Sequence, residues 1–146
     1  MADFLKRGKT DIAGLQKKHC EGMIRFPFTS KRKRMSTIIN NATGNGGYDR
    51  RLLIKGASEI VKGACTHYLD DKCQKQPITD EIDRLLDDQI EKYAEQALRT
   101  IAIAYKDLEP GQNGVKHDEP VDEDIKDVEK EGLILVGILG IMDVIR

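Results

Sequence analysis

A long hairpin pattern constrains the fold of this chain more than any other feature. Two runs rich in β-branched and aliphatic residues, 34–40 and 48–55, flank the polar sequence NNATGNGG at positions 40–47. Asn and Gly tolerate positive φ and connect neighbouring antiparallel strands. A third such run, residues 23–28, precedes the pair, and Pro27 restricts it to an edge or a strand end because proline has no N–H for the ladder. The sequence therefore predicts an antiparallel sheet.

Helix and strand patterns follow one another in the rest of the chain. Apolar residues recur at helical spacing over residues 80–97, and Thr79 stands where an N-cap is expected. We expect one apolar stripe of this helix to be buried, namely Ile82, Leu85, Leu86, Ile90, Tyr93, Ala94 and Ala97. A shorter helix is predicted at residues 58–65, and two buried strands are predicted at 99–106 and 133–138.

Residues 109–130 are acidic, contain Pro and Gly, and show no periodicity, which predicts a mobile, solvated insertion. A length of 146 residues suits one domain. The predicted fold class is therefore α+β, one domain over residues 1–146 with a mainly antiparallel β-sheet of about six strands flanked by helices.

Composition excludes several classes of protein. With 24 Lys and Arg against 25 Asp and Glu, the net charge is −1, so the chain does not bind nucleic acid through an overall basic charge. Three cysteines without a CxxC pair argue against a disulfide framework and against a zinc site, and they favour a reducing compartment. No apolar run approaches the roughly 20 residues of a membrane span.

No catalytic motif is recognisable, but three short stretches suggest binding. GxxxxGK[ST], GxGxxG, HExxH and GxSxG are all missing from the sequence. The run KRKR at 31–34 suits a nuclear address, a nucleic-acid patch or the mouth of a site for a smaller anion. Gly56 permits close backbone approach, and Lys55 and Arg99 are able to reach a phosphate. Taken singly, the last three residues also suit an ordinary turn and an ordinary helix end.

The order of these stretches carries more information than any one of them. FTSKRKRMS at 28–36, KGASE at 55–59, ALRTIAIAY at 97–105 and GIMDVIR at 140–146 resemble the nucleotide-binding domain of P-type ATPases, the cation pumps. The resemblance extends over residues 26–146 and is greatest to plasma-membrane-type calcium-transporting ATPases. It implies a cytosolic domain of an integral membrane protein, in the plasma membrane or in the membrane of an internal calcium store.

The resemblance also implies roles for individual residues. It assigns a nucleotide pocket to Phe28, Lys33, Met35, Lys55, Gly56, Ala57 and Arg99. Phe28 would stack on adenine, Lys33 would attract the nucleotide, and Arg99 would contact phosphate. The remaining cations of the basic run would only raise the local positive potential. Asp143 and Arg146 correspond to the hinge towards the phosphorylation domain, and no catalytic or metal-ligating residue is assigned.

In the family, a phosphorylation domain carries the acceptor aspartate in a DKTGT motif, which this chain lacks. We therefore expect a domain excised from a longer pump, monomeric, binding ATP without turnover and no nucleic acid. ATP and Mg²⁺ would act in the intact pump, with its phosphorylation and actuator domains as partners. Ser30 stands where calcium pumps often have Arg, and the family's adenine-contacting Glu lies outside the match. The alternatives are another transported cation, as in sodium/potassium pumps, or a polyanion-binding nuclear protein that uses KRKR.

Overall fold

The computed structural model describes residues 13–14, 17, 23–40, 50–108 and 127–142. These contain seven strands: β1 (Ile24–Phe26), β2 (Arg34–Asn40), β3 (Arg50–Ala57), β4 (Cys65–Leu69), β5 (Lys75–Pro77), β6 (Leu98–Asp107) and β7 (Leu133–Met142). They also contain helices α1 (Ser58–Gly63) and α2 (Asp80–Glu95) and a single 3-10 turn (Asp127–Glu129). The predicted connection spans residues 40–47, of which 41–47 lie outside the described residues.

The strands form one sheet in the order β1-β2-β3-β6-β7-β4-β5, with β6 at its centre. β4 and β7 run parallel, and the other neighbouring pairs are antiparallel. The predicted α+β class, the mainly antiparallel sheet and the β2–β3 pairing are therefore confirmed.

Two strands in the sheet were missed by the sequence patterns. β4 begins at Cys65, the last residue of the stretch predicted as a helix, and β5 follows it at Lys75–Pro77. A turn at Asp70 joins them, because its carboxylate accepts the backbone N–H of Lys72 at 2.9 Å and that of Gln74 at 2.8 Å. Short strands joined by a polar turn carry little periodicity, which explains the error.

One face of the sheet forms the core. Its buried apolar cluster consists of Phe26, Ile38, Leu52, Ile54, Val61, Ala64, Ala102, Ala104, Leu108, Leu133 and Leu135. Val61 belongs to α1, and Leu86 of α2 packs against the cluster from outside. Among the helices of the described residues, none is long and apolar enough to cross a membrane.

Helix α2 buries a narrower stripe than its sequence predicts. Ile90 is buried, whereas Leu85 is 57% exposed. Ala94 and Ala97 are exposed as well. The helix therefore meets the sheet along a narrow line of residues, and the predicted cap at Thr79 is confirmed because its hydroxyl accepts the N–H of Ile82 at 3.4 Å.

Candidate functional site

A tight turn between β1 and β2, residues 27–33, presents the most conspicuous aromatic ring; we refer to it as the Phe28 turn. The Phe28 ring is 60% exposed. The Thr29 hydroxyl accepts the N–H of Arg32 at 3.1 Å, and the Thr29 carbonyl accepts that of Lys33 at 2.8 Å. These bonds close the turn and leave Lys33 in the left-handed region, with φ 52. The ring is thus displayed to solvent by a fixed backbone.

The Phe28 turn faces one end of β3 and β6 across an open cleft of about 430 Å³. The cleft is lined by Phe28, Met35, Lys55, Gly56, Ala57, Arg99, Thr100 and Ile101. Its volume falls within the roughly 300–1,000 Å³ of small-molecule sites. The antiparallel registers explain the convergence, since Met35 lies opposite Lys55, and Ala57 opposite Ile101.

The cleft brings together six of the seven residues that the resemblance assigns to a pocket. Lys33 is the exception: it does not line the cleft, and its side chain is exposed. Its backbone nevertheless borders the site, because the Lys33 carbonyl accepts the N–H of Ala57 at 3.0 Å. Sequence reasoning missed Thr100 and Ile101, which are neighbours of Arg99 on the same strand.

Gly56 is required by packing between strands at the cleft. A β-carbon at this position would lie 2.5 Å from the Lys33 carbonyl oxygen and 2.7 Å from the Arg34 Cα. Both are backbone atoms, which cannot move aside without separating β2 from β3. The close approach predicted at Gly56 therefore occurs within the protein, where it brings the Phe28 turn against β3.

Arg99 reaches the cleft because the chain reverses sharply after α2. The N–H of Ala97 donates to the Ala94 carbonyl at 2.9 Å, and Ala97 has φ 55, the left-handed conformation that ends many helices. Arg99 then lies exposed on β6, one residue before Thr100. Together with Lys55 it supplies two cations beside the apolar wall of Met35 and Ile101. A flat apolar surface next to cations suits a ligand with an aromatic base and an anionic group.

The basic run at 31–34 is divided between two environments. Arg32 is 1% exposed and Arg34 is 7% exposed, whereas Lys31 and Lys33 are exposed. The guanidinium of Arg32 forms an ion pair with Glu129, and it lies 5.7 Å from the centroid of the buried Phe26 ring. The expectation that Arg32 and Arg34 only raise the surface potential is therefore wrong, since both are buried components of the fold.

Glu129 pairs with Arg32 of the Phe28 turn, and this contact was not predicted from the sequence. It is 0% exposed, and its carboxylate accepts hydrogen bonds from Arg32 and from the Ser36 hydroxyl. Its carbonyl accepts Nη1 of Arg34 at 3.3 Å. Burial lowers the pKa of Arg34. The prediction of a solvated insertion is thus wrong at its C-terminal end, and residues 109–126 lie outside the described residues.

The hinge residues Asp143 and Arg146 lie outside the described residues. Within the part of the chain that the structure describes, no group of three or more His, Cys, Asp or Glu residues is arranged to hold a metal ion.

Comparison with known proteins identifies the family. The family model described as "P-type ATPase, cytoplasmic domain N" matches residues 2–146. Calcium-transporting ATPase PAT1 of Dictyostelium discoideum is 36% identical over 89% of this chain and 10% of its own length. Calcium-transporting ATPase 3, plasma membrane-type, of Oryza sativa subsp. japonica is 36% identical over 82% of this chain and 10% of its own length. Plasma membrane calcium-transporting ATPase mca-1 of Caenorhabditis elegans is 30% identical over 98% of this chain and 12% of its own length.

The chain thus spans about a tenth of the length of the curated relatives that it matches. The family match extends over nearly the whole sequence, and three of the four stretches that carry the resemblance, 28–36, 55–59 and 97–105, contribute residues to one cleft. The chain belongs to the family of P-type ATPase cytoplasmic N domains.

Proposed function

We propose that the chain is the ATP-binding domain of a calcium-transporting P-type ATPase. The observation that carries the proposal is the meeting of Phe28, Lys55 and Arg99 at one open cleft, although they come from three separate parts of the sequence. The named relatives are calcium-transporting ATPases, which favours calcium over other cations as the transported ion.

In this proposal the two kinds of lining residue have different tasks. The exposed Phe28 ring stacks on the adenine, and base–aromatic stacking contributes about 1–3 kcal/mol in comparable sites. Met35, Ala57 and Ile101 form the apolar wall, while Lys55 and Arg99 bind the phosphates. Lys33, at the border of the cleft, adds a positive charge that attracts the anionic nucleotide.

The domain acts by positioning. In the assembled pump it would hold Mg·ATP and present the γ-phosphate to an aspartate of the phosphorylation domain, which this sequence does not contain. The domain would then lie on the cytosolic side of the plasma membrane as part of a membrane protein, with the phosphorylation and actuator domains of the same pump as its partners. We expect the chain by itself to be a monomer that binds ATP without hydrolysing it.

An amide chemical-shift titration with ATP tests the proposal. We expect the shifts to concentrate at Phe28, Lys55, Gly56 and Arg99. Phe28→Ala should weaken ATP binding by about 10- to 100-fold, as expected for the loss of base stacking. Leu85→Ala is the matched control, since Leu85 is 57% exposed, similar to Phe28, but lies on α2 away from the cleft. Equal ATP affinity in the two variants would contradict the proposal.

A second comparison tests the phosphate contacts. Arg99→Met retains much of the side-chain length but removes the guanidinium, so it should weaken ATP binding by about tenfold and AMP binding by less. If both nucleotides lost affinity equally, Arg99 would contact a part of the ligand that they share.

The competing function is polyanion binding through the basic run. Burial of Arg32 and Arg34 disfavours it, because only Lys31 and Lys33 of that run are exposed. A short oligonucleotide in the same titration separates the two functions. Larger shifts with the oligonucleotide, confined to residues 31–34 and steeply dependent on salt, would favour the polyanion function.

A further inference from the structure

Arg32 joins two residues of the Phe28 turn to one distant residue. Its Nη1 donates to the Pro27 carbonyl at 2.8 Å, and its backbone N–H donates to the Thr29 hydroxyl at 3.1 Å. Its Nη2 pairs with the carboxylate of Glu129, 97 positions further along the chain. Since Pro27 and Thr29 flank Phe28, the guanidinium holds the backbone on the Pro27 side, and the turn hydrogen bonds hold the other.

The ring itself has little else to hold it. Phe28 is 60% exposed, so packing contributes little to the position of its side chain. The location of the ring depends on the backbone of the Phe28 turn, and this backbone is tied to the buried guanidinium. A planar guanidinium donates in fixed directions, so its carboxylate partner determines where the Pro27 carbonyl is held.

Glu129 is well placed to fix that guanidinium. It is 0% exposed on the 3-10 turn before β7, and the same oxygen that accepts from Arg32 also accepts from the Ser36 hydroxyl of β2. Its carbonyl accepts from Arg34. Three residues of one short stretch therefore converge on this single glutamate.

We infer that Glu129 is a positioning residue for the nucleotide site: acting through Arg32, it holds the Phe28 turn in the place where the ring meets adenine. This inference rests on the proposed function. Glu129 does not line the cleft, so its effect on nucleotide binding is indirect. Changes at the 3-10 turn are thereby linked to ATP affinity.

A purely structural role for the pair makes a different prediction. The pair would then stabilise the fold, and any variant that folds normally would bind ATP normally. The double substitution Arg32→Met/Glu129→Met separates the two roles, because replacing a buried ion pair by apolar residues commonly preserves stability. It also removes the hydrogen bond to the Pro27 carbonyl.

The experiment compares wild type, Glu129→Gln, Arg32→Met/Glu129→Met and Leu135→Ala. Leu135 is buried on β7, away from the cleft, and its truncation is a control for lost stability alone. Two quantities are measured at a temperature where each variant is folded: the Kd for ATP and the hydrogen-exchange rates of the Arg32 and Lys33 amides without ligand.

We expect about tenfold weaker ATP binding in the double variant, together with faster exchange at both amides, and unchanged binding in Leu135→Ala. Glu129→Gln should weaken ATP binding and speed the exchange of both amides as the double variant does. If Glu129→Gln fails to fold, the double variant still tests the inference. Wild-type affinity in the folded double variant would overturn the inference. Failure of the wild type to bind ATP would instead overturn the proposed function, and the positioning role with it. The two failures are distinguishable because the second appears already in the wild type.

Discussion

The pair of strands β2 and β3 has an arginine–carboxylate ion pair near each of its two ends, and the two ion pairs differ in their exposure to solvent. At the cleft end, Arg32 and Glu129 are 1% and 0% exposed. At the opposite end, which adjoins the 41–49 connection, Arg51 and Asp107 are 28% and 44% exposed. The chemical groups are the same, and only their surroundings differ.

The exposed pair has the more favourable geometry. Arg51 makes two bonds to Asp107, at 2.6 and 3.2 Å, and its guanidinium lies 4.5 Å from the centroid of the Tyr105 ring. Its hydrogen bond to Asp107 raises the pKa of Arg51. Pairs of this kind at a surface nevertheless contribute only about 0–1 kcal/mol, because water competes for both partners.

The buried pair adds little net stability to the fold. Desolvation of both groups offsets most of their attraction, so an apolar pair of similar size would stabilise the fold about as well. Arg32 even keeps a buried Nε without a partner among the described residues. The presence of Arg32 beside the cleft is therefore better explained by the direction of its hydrogen bonds than by their energy.

The largest effect is expected when one partner of the buried pair is neutralised. Glu129→Gln leaves the Arg32 charge buried without a counter-charge, which should lower the free energy of unfolding by about 3–5 kcal/mol. Urea denaturation of the variant and of the wild type measures the difference. A loss below about 1 kcal/mol would show that the two ends of the hairpin are energetically alike, against the comparison made above.

Gly56→Ala should have the next largest effect. The added β-carbon would meet the backbone of Lys33 and Arg34 at 2.5 and 2.7 Å, so β2 and β3 must separate at the cleft. We expect a loss of about 1–3 kcal/mol of unfolding free energy, as for other overpacked sites.

Gly63→Ala is the matched control, because a β-carbon on Gly63 meets nothing within 4 Å. Gly63 ends α1, and alanine favours helices over glycine by about 1 kcal/mol, so this variant should be as stable as the wild type or more stable. If the two alanine variants had equal stability, the steric account of Gly56 would be wrong.

The strands around the cleft could be predicted because their residues follow a strand-like pattern and turn-forming residues mark where the strands end. The hairpin at β2–β3 is marked by Asn and Gly residues, and β6 alternates large and small side chains like the central strand that it is. Such local signals place Lys55 and Arg99 at strand ends. The resemblance then adds which strand ends meet, and the cleft brings those residues together.

Glu129 could not be predicted in the same way. It lies in a stretch of acidic residues, VDEDIKDVEKE at 121–131, where nothing in the spacing distinguishes one carboxylate from another. Its burial depends on contacts with Arg32 and Ser36, which are more than 90 positions away. The same reason explains why the sequence does not reveal that Arg32 and Arg34 are buried: Arg32 pairs with the distant Glu129, and Arg34 begins a strand with one buried face.

Lys33 offers a smaller and opposite effect on stability. A residue with a side chain in the left-handed region is strained by roughly 1–2 kcal/mol, and glycine relieves this strain at some cost in chain entropy. Since Lys33 has φ 52, Lys33→Gly should raise the free energy of unfolding by about 0.5–1 kcal/mol.

Lys33→Ala is the control for this substitution, because it removes the same ammonium and keeps the strain. Both variants should weaken ATP binding to the same extent, and only the glycine variant should gain stability. Unchanged ATP affinity in both would remove Lys33 from the site, consistent with its position beside the cleft and not within it.

The smallest effect is expected at the exposed pair, where Asp107→Asn should lower the free energy of unfolding by about 0.2–1 kcal/mol. Its salt dependence is the sharper test, because exposed charges are screened by added ions and buried charges are screened far less. The loss caused by Asp107→Asn should shrink when urea denaturation is repeated in about 1 M NaCl, where the Debye length is about 3 Å. The loss caused by Glu129→Gln should hardly change under the same conditions. Equal screening of the two losses would mean that water reaches Glu129, and the distinction between the two ends of the hairpin would disappear.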